Sequence, residues 1–225
     1  MNKLLDNIVW HTLCGPHAKY AVGTNEVRRY MRGFSPFVGF ADLEHPNFPD
    51  LALYVEPGEQ LYCDGWAGAV PDGWGVESES ILCKMTWDAS MPTRNELPEA
   101  VLLDSSHASA ALALATLTQP GPFSLRTIEL GEYFGVFDTG RLVAMAGGRI
   151  CAGGFNEISG VCTHPDYQGR GLAKSLILKL IQRQMRRGEM PFLRVMRDSD
   201  EAHRFYRRLG FRDYRESVAR VFSRC

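Results

Sequence analysis

The run Val161-Cys-Thr-His-Pro-Asp-Tyr-Gln-Gly-Arg-Gly-Leu-Ala-Lys-Ser175 takes a β-type segment into a glycine-containing turn and then opens a long helix. A turn of that kind offers free backbone N–H groups to an anion. Gly169 and Gly171 can adopt backbone angles closed to other residues and let a ligand approach the main chain. The first N–H groups of the helix that follows have no intrahelical partner, and its dipole puts partial positive charge there. The turn is therefore a candidate anion site to which Arg170 adds a full charge. Taken alone, Gly-x-Gly also fits a turn that uses glycine for geometry only.

Spacing separates the phosphate motifs. A Walker A loop ending at Lys174-Ser175 would need glycine where Gln168 and Ala173 stand, and a dinucleotide fingerprint would need its third glycine at Lys174. The pattern that fits is Gln/Arg-x-x-Gly-x-Gly/Ala, as Gln168-Gly-Arg-Gly171-Leu-Ala173, followed one helix and strand later by Ala202-His-Arg-Phe-Tyr206-Arg-Arg-Leu-Gly-Phe211. Together these resemble the acyl-coenzyme A site of the GNAT superfamily of N-acetyltransferases. The segment Glu157-Ile-Ser-Gly-Val-Cys-Thr-His-Pro-Asp-Tyr-Gln168 further resembles its FR47-like branch. The likeness covers roughly residues 97–225.

Composition sets outer bounds. A chain of 225 residues with 45% hydrophobic content can bury a large core. A formal charge of -1 argues against partners held by bulk charge, so neither nucleic acid nor a membrane surface is expected. The six cysteines show no C-x-x-C pair or metal spacing, and reduced thiols in a cytoplasm with no bound metal are the simplest account. The first dozen residues, with Asp6, Trp10 and His11, lack the apolar core of a signal peptide.

Residues 1–95 read as a smaller α/β domain with strands at Phe37 to Phe40, Leu51 to Val55, Gln60 to Cys63 and Ser80 to Trp87, and no chemical motif. The polar, proline-bearing stretch Asp88 to Pro98 places a boundary there, with the catalytic domain spanning 96–225. By resemblance the front half could be a degenerate copy of the same fold. The second half reads as a strand at Val101 to Leu103, a helix at Ser105 to Leu117 capped by Ser105 or Ser106, and strands at Tyr133 to Asp138, Arg141 to Arg149 and Glu157 to Thr163. A helix from Gly171 to Arg187, a strand at Pro191 to Met196, a helix opened by the capping box Asp198-x-x-Glu201, and strands at Phe211 to Tyr214 and Ser217 to Phe222 complete it. The fold class is α+β in three layers, a mixed and mostly antiparallel GNAT-type sheet flanked by helices.

The resemblance assigns roles. Glu157 would be the general base, with a pKa raised by partial burial; Tyr206 would protonate the departing thiolate. Main-chain groups of Val161, Cys162 and Thr163 would hold the thioester and pantetheine, and Gln168, Gly169, Arg170, Gly171, Leu172 and Ala173 the pyrophosphate. Ser199 stands where relatives usually place a cofactor-touching asparagine, and Tyr206 would also border the cofactor. Cys162 and His164 read as packed and structural rather than as a nucleophilic pair. An acceptor pocket is expected between residues 118–126 and Glu157, with Arg126 for an acidic acceptor and Glu129 or Glu132 for a basic one. The function implied is direct transfer of an acetyl group from acetyl-coenzyme A to a primary amine of a small molecule, amino acid or protein terminus, in a homodimer such as relatives often form. A longer acyl group, as in glycine N-acyltransferase-like enzymes, and a non-catalytic acyl-coenzyme A sensor are the alternatives.

Overall fold

The computed structural model describes residues 3–93 and 97–225. Helices α1 (Lys3–Asp6) and α2 (Ile8–Cys14) precede a small antiparallel sheet of β1 (Ala21–Gly23), β2 (Val27–Tyr30) and β3 (Val38–Phe40). Helix α3 (Phe48–Leu51) leads to β4 (Leu61–Asp64) and the long β5 (Trp74–Trp87). Then come β6 (Val101–Leu103), α4 (Ala108–Thr118), β7 (Tyr133–Asp138), β8 (Arg141–Ala152) and β9 (Phe155–Thr163). The chain closes with α5 (Leu172–Arg186), β10 (Met190–Met196), α6 (Asp200–Leu209) and β11 (Phe211–Arg224).

Eight strands form one sheet in the order β4-β11-β5-β10-β9-β8-β7-β6. Its neighbours are antiparallel except β9 and β10. Helices α5 and α6 cover one face, burying Leu176, Ile177, Leu180 and Ile181 against Ala144, Ala146, Ile158, Leu193 and Val195. Helices α2 and α4 cover the other, where Ile150 and Phe192 meet Ile8 and Leu13, and Met145 and Cys162 meet Leu114 and Ala115. This is the mixed, mostly antiparallel, helix-flanked sheet expected. Among the described residues no helix is long and apolar enough to cross a membrane.

The expected boundary between residues 95 and 96 falls on residues outside the description, but the sheet crosses it. β5 of the front half lies between β11 and β10 of the back half, pairing with β11 along nearly its whole length, and β4 joins the far edge. The front half therefore supplies strands to the shared sheet in addition to its own small one.

Four local readings are corrected. Leu51 to Val55 is not a strand: the Asn47 side chain accepts the Asp50 N–H and Pro49 sits in the first turn, so the segment starts as α3 and continues as a 3-10 turn. Asp104, not Ser105 or Ser106, caps the helical segment before α4. Ser199 is the N-cap of α6 and, among the described residues, no side-chain cap hydrogen bond is made there, so Asp198 and Glu201 form no capping box. The last two strands are one, bulged at Tyr214 between Asp213 and Arg215.

Candidate active site

Strands β9 and β10 are hydrogen-bonded only at their beginnings. The parallel register joins Met190, Pro191 and Phe192 to Phe155, Asn156 and Glu157 and then ends, although β9 runs on to Thr163 and β10 to Met196. The cause lies one strand over. Met145 pairs with Cys162 but Gly147 with Ser159, so β9 carries one residue more than β8 there, a bulge containing Gly160 at φ +59°. A bulge bends its strand, and β9 leaves β10 at that point. The edge of Ile158 to Thr163 that faces β10 takes no ladder partner from it.

A cavity of about 830 Å³ opens at this splay. Alternation along the strands puts Glu157 and Arg194 on the α4 side of the sheet, and Ile158 and Val195 on the α5 and α6 side. The cavity is lined from both: by Gln119, Pro120 and Phe123 after α4, and by Ser199, Ala202 and Tyr206 of α6. It is thus lined from both faces of the sheet, and Glu157, Val161, Ser199 and Tyr206 all border it, whereas Cys162, Thr163 and Gln168 to Ala173 do not.

At the end of β9 the chain makes the anticipated turn. His164 accepts the Asp166 N–H and caps a 3-10 turn over Pro165 to Tyr167, and Gln168 leads into Gly169 (φ +75°) and Gly171 (φ +78°). Gly171 is the N-cap of α5. A side chain added at either glycine would meet nothing within 4 Å, so both glycines are required by backbone angle and their outer side is open. Helix geometry leaves the first N–H groups of α5 free beside Leu172 and Ala173. The Arg170 guanidinium stacks over Tyr167 and donates to the Asp166 carbonyl, which places its charge at the rim of the turn. Thr163 Oγ1 is buried without a hydrogen-bond partner among the described residues.

Glu157 departs from its expected electrostatics. It is 1% exposed, and its carboxylate accepts Arg194 Nε at 2.9 Å and Arg149 Nε at 3.3 Å. Burial pushes its pKa up, but Arg194 and Arg149 together outweigh burial and hold it below the ordinary carboxylate value. The raised pKa expected of a partly buried base is therefore overturned: burial is complete, and it comes with two cations. The network extends inward. Arg194 Nη1 and Lys84 Nζ each lie 3.4 Å from Asp64 Oδ2, Ser217 donates to Asp64 Oδ1, and Lys84 donates to the Leu5 carbonyl. The Phe37 ring is packed against both Arg149 and Arg194, with centroids 4.8 and 4.7 Å from the guanidinium carbons.

Tyr206 is packed edge-on to Phe205 and Phe211, and burial, with Cys162 nearby, pushes its pKa up to about 12. It keeps its proton at neutral pH. Helix α6 is latched to the sheet by His203, whose Nε2 lies 2.6 Å from Asp213 Oδ1 and 3.9 Å from Cys83 Sγ. Cys162 is packed beneath α4, and burial raises its thiol to about 11, as suits a core residue.

Arg126, Glu129 and Glu132 do not line the cavity. Arg126 pairs with Glu129 over the Phe34 ring, and Glu132 is held by Arg183 and Arg187 of the α5 end. Besides Glu157, the charged groups that line it are Arg149, Arg194, Asp64 and Arg220, and these were missed. Their signal was an isolated charge inside an apolar strand, as in Pro191-Phe-Leu-Arg-Val-Met196 and in Leu142 to Ala152.

The Acetyltransferase (GNAT) family profile matches residues 106–211. A solved protein of Novosphingobium aromaticivorans assigned to the GNAT family of acetyltransferases is 34% identical, with 98% of each chain covered and a TM-score of 0.88. A GCN5-related N-acetyltransferase from Kribbella flavida superposes over 98% of this chain and 95% of its own at 17% identity and a TM-score of 0.62. A GCN5-related N-acetyltransferase-like protein from Streptococcus suis does so over 97% and 92%, also at 17% and 0.62. These last two likenesses are of fold. No curated protein matches.

Proposed function

The chain belongs to the GNAT acetyltransferase family, and from that premise we propose that it transfers an acetyl group from acetyl-coenzyme A directly to a primary amine of a small molecule, amino acid or protein terminus. The observation that carries this reading is the splay of β9 from β10, with a cavity at the splay bordered by Tyr206 and Glu157. The open glycine turn at the start of α5, which follows β9 in the chain and lies outside the cavity's lining, supports it. Acetyl-coenzyme A, when bound, supplies the acetyl group as an activated thioester. The residues fit it. Gln168, Gly169, Arg170, Gly171, Leu172 and Ala173 would hold the pyrophosphate by backbone N–H groups and the Arg170 charge. The unladdered edge of Val161, Cys162 and Thr163 would take the amide groups and the carbonyl, and Ser199 would border the cofactor at the mouth of α6.

Tyr206, protonated and in the wall of the cavity, donates the proton that the leaving thiolate needs. Glu157 is held as a carboxylate by its two arginines and receives the amine's proton, with water as relay across the cavity. Because the arginines lower its basicity, it is a weak base, and the acceptor must bind largely as free amine. The acetyl group, the FR47-like branch suggested by Glu157 to Gln168, a cytoplasmic setting and a homodimer belong to the same proposal.

Thiol release from acetyl-coenzyme A, followed against a panel of amines, amino acids and peptides, tests it. Release with at least one acceptor is expected. Tight binding with no release from any acceptor would instead make the chain an acyl-coenzyme A sensor.

A further inference from the structure

The floor of the cavity, together with Lys84 behind Asp64, holds more buried positive charge than negative. Arg149, Arg194 and Lys84 face Glu157 and Asp64, and these five side chains are at most 8% exposed. Arg220, which also lines the cavity, is committed to Glu79 and to the carbonyls of Gly68 and Ala67. Hydrogen-bond capacity is unbalanced in the same sense. Two guanidiniums present ten N–H donors. Among the described residues they make four hydrogen bonds, to Glu157 twice, to Asp64 and to the Pro122 carbonyl. Arg194 Nη2 approaches Glu157 Oε1 at 2.8 Å but without hydrogen-bond geometry. Both acids are already bridged by cations, so neither is free to attract an ammonium group.

We propose that the acceptor carries a carboxylate close to its amine and that Arg149 and Arg194 receive it. This rests on the acyl-transfer reading of the same site and names its substrate class. The planar fork of arginine matches a carboxylate with two parallel hydrogen bonds, and Phe37 packs against both guanidiniums from one side, fixing them before the ligand arrives. An entering carboxylate brings the buried charge to balance, which removes a standing electrostatic penalty. The same cations disfavour a protonated amine beside them, so the nucleophile is presented in its free form.

The test compares matched sets: an amino acid, its amide and its decarboxylated amine, each for glycine, phenylalanine and leucine. With acetyl-coenzyme A in excess, the carboxylate form should show kcat/KM at least tenfold above its amide and amine, and Arg149→Gln should erase that preference. Equal or better turnover of the amides or amines would overturn the proposal. If no acceptor releases thiol, the transfer reading has failed, and the carboxylate site is then judged separately. Calorimetry of the wild-type protein with N-acetyl amino acids and with their N-acetyl amides, coenzyme A present, should show binding of the carboxylates alone. Binding of neither, or of both equally, would refute it. The wild-type comparisons stand even if Arg149→Gln does not fold.

Discussion

Glu157 and Tyr206 face one cavity with opposite demands on their protons, and each can be tested alone. Tyr206→Phe removes a hydroxyl and keeps the ring that packs on Phe211, so kcat should fall about a hundredfold or more while acetyl-coenzyme A affinity is kept. With its pKa near 12, Tyr206 should impose no fall in rate between pH 6 and about pH 10. The rate should climb with the acceptor amine's own ionisation. Glu157→Gln leaves two buried guanidiniums facing a neutral amide and should destabilise the protein by about 3–5 kcal/mol, read by denaturant titration. The folded-state pKa of Glu157 lies below its unfolded value, so its contribution to stability is full above the unfolded carboxylate pKa and is lost as pH falls through the folded one. The acid limb of the wild-type stability profile should contain a step that Glu157→Gln lacks. At this scale the backbone angles of Gly169 and Gly171 were legible from residue type, and the place of Tyr206 beside the cavity was suggested by resemblance. The pairing of Glu157 with Arg149 and Arg194 was not, because the partners come from β8 and β10 and only the sheet brings them together.

The splay is the element on which the site depends, and its origin is the bulge at Gly160. At φ +59° a side chain there is strained, and its Cβ would lie 3.0 Å from Tyr133 Cε1 and 3.4 Å from Phe123 Cε2. Gly160→Ala should therefore lower stability by about 1–3 kcal/mol and reduce kcat/KM more than it reduces thermal stability would explain, since Phe123 and Gly160 both line the cavity. Unchanged turnover would separate the bulge from the site. Periodicity located α5 and the strands around it well, because their apolar stripes match one period over many residues. It misread Leu51 to Val55, where a short apolar run has no period and the Asn47 cap decides. A bulge leaves no mark on composition, so nothing in the residues themselves announced the splay.

For the whole molecule, the decisive fact is that β5 separates β10 from β11. Apolar runs announce strands but not which sheet they enter, and a polar, proline-bearing stretch looks like a linker even when the strands on either side of it pair. Residues 97–225 expressed alone would leave both β10 and β11 with unpaired edges, and Cys83, Met85 and Trp87 would be missing from the core against α5 and α6. That fragment should be unfolded or aggregated, and the full chain should lose its β5 and α5 structure in one transition by circular dichroism and hydrogen exchange. A soluble, cooperatively folding fragment would support the two-domain division. The glycine turn of α5 is the place where we propose that acetyl-coenzyme A is held. Calorimetric titration of acetyl-coenzyme A into the wild-type protein and into folded Gly171→Val measures this directly. Saturable binding by the wild type and at least tenfold weaker binding by the variant is the predicted result. No binding by the wild type, or equal binding by both, would contradict it.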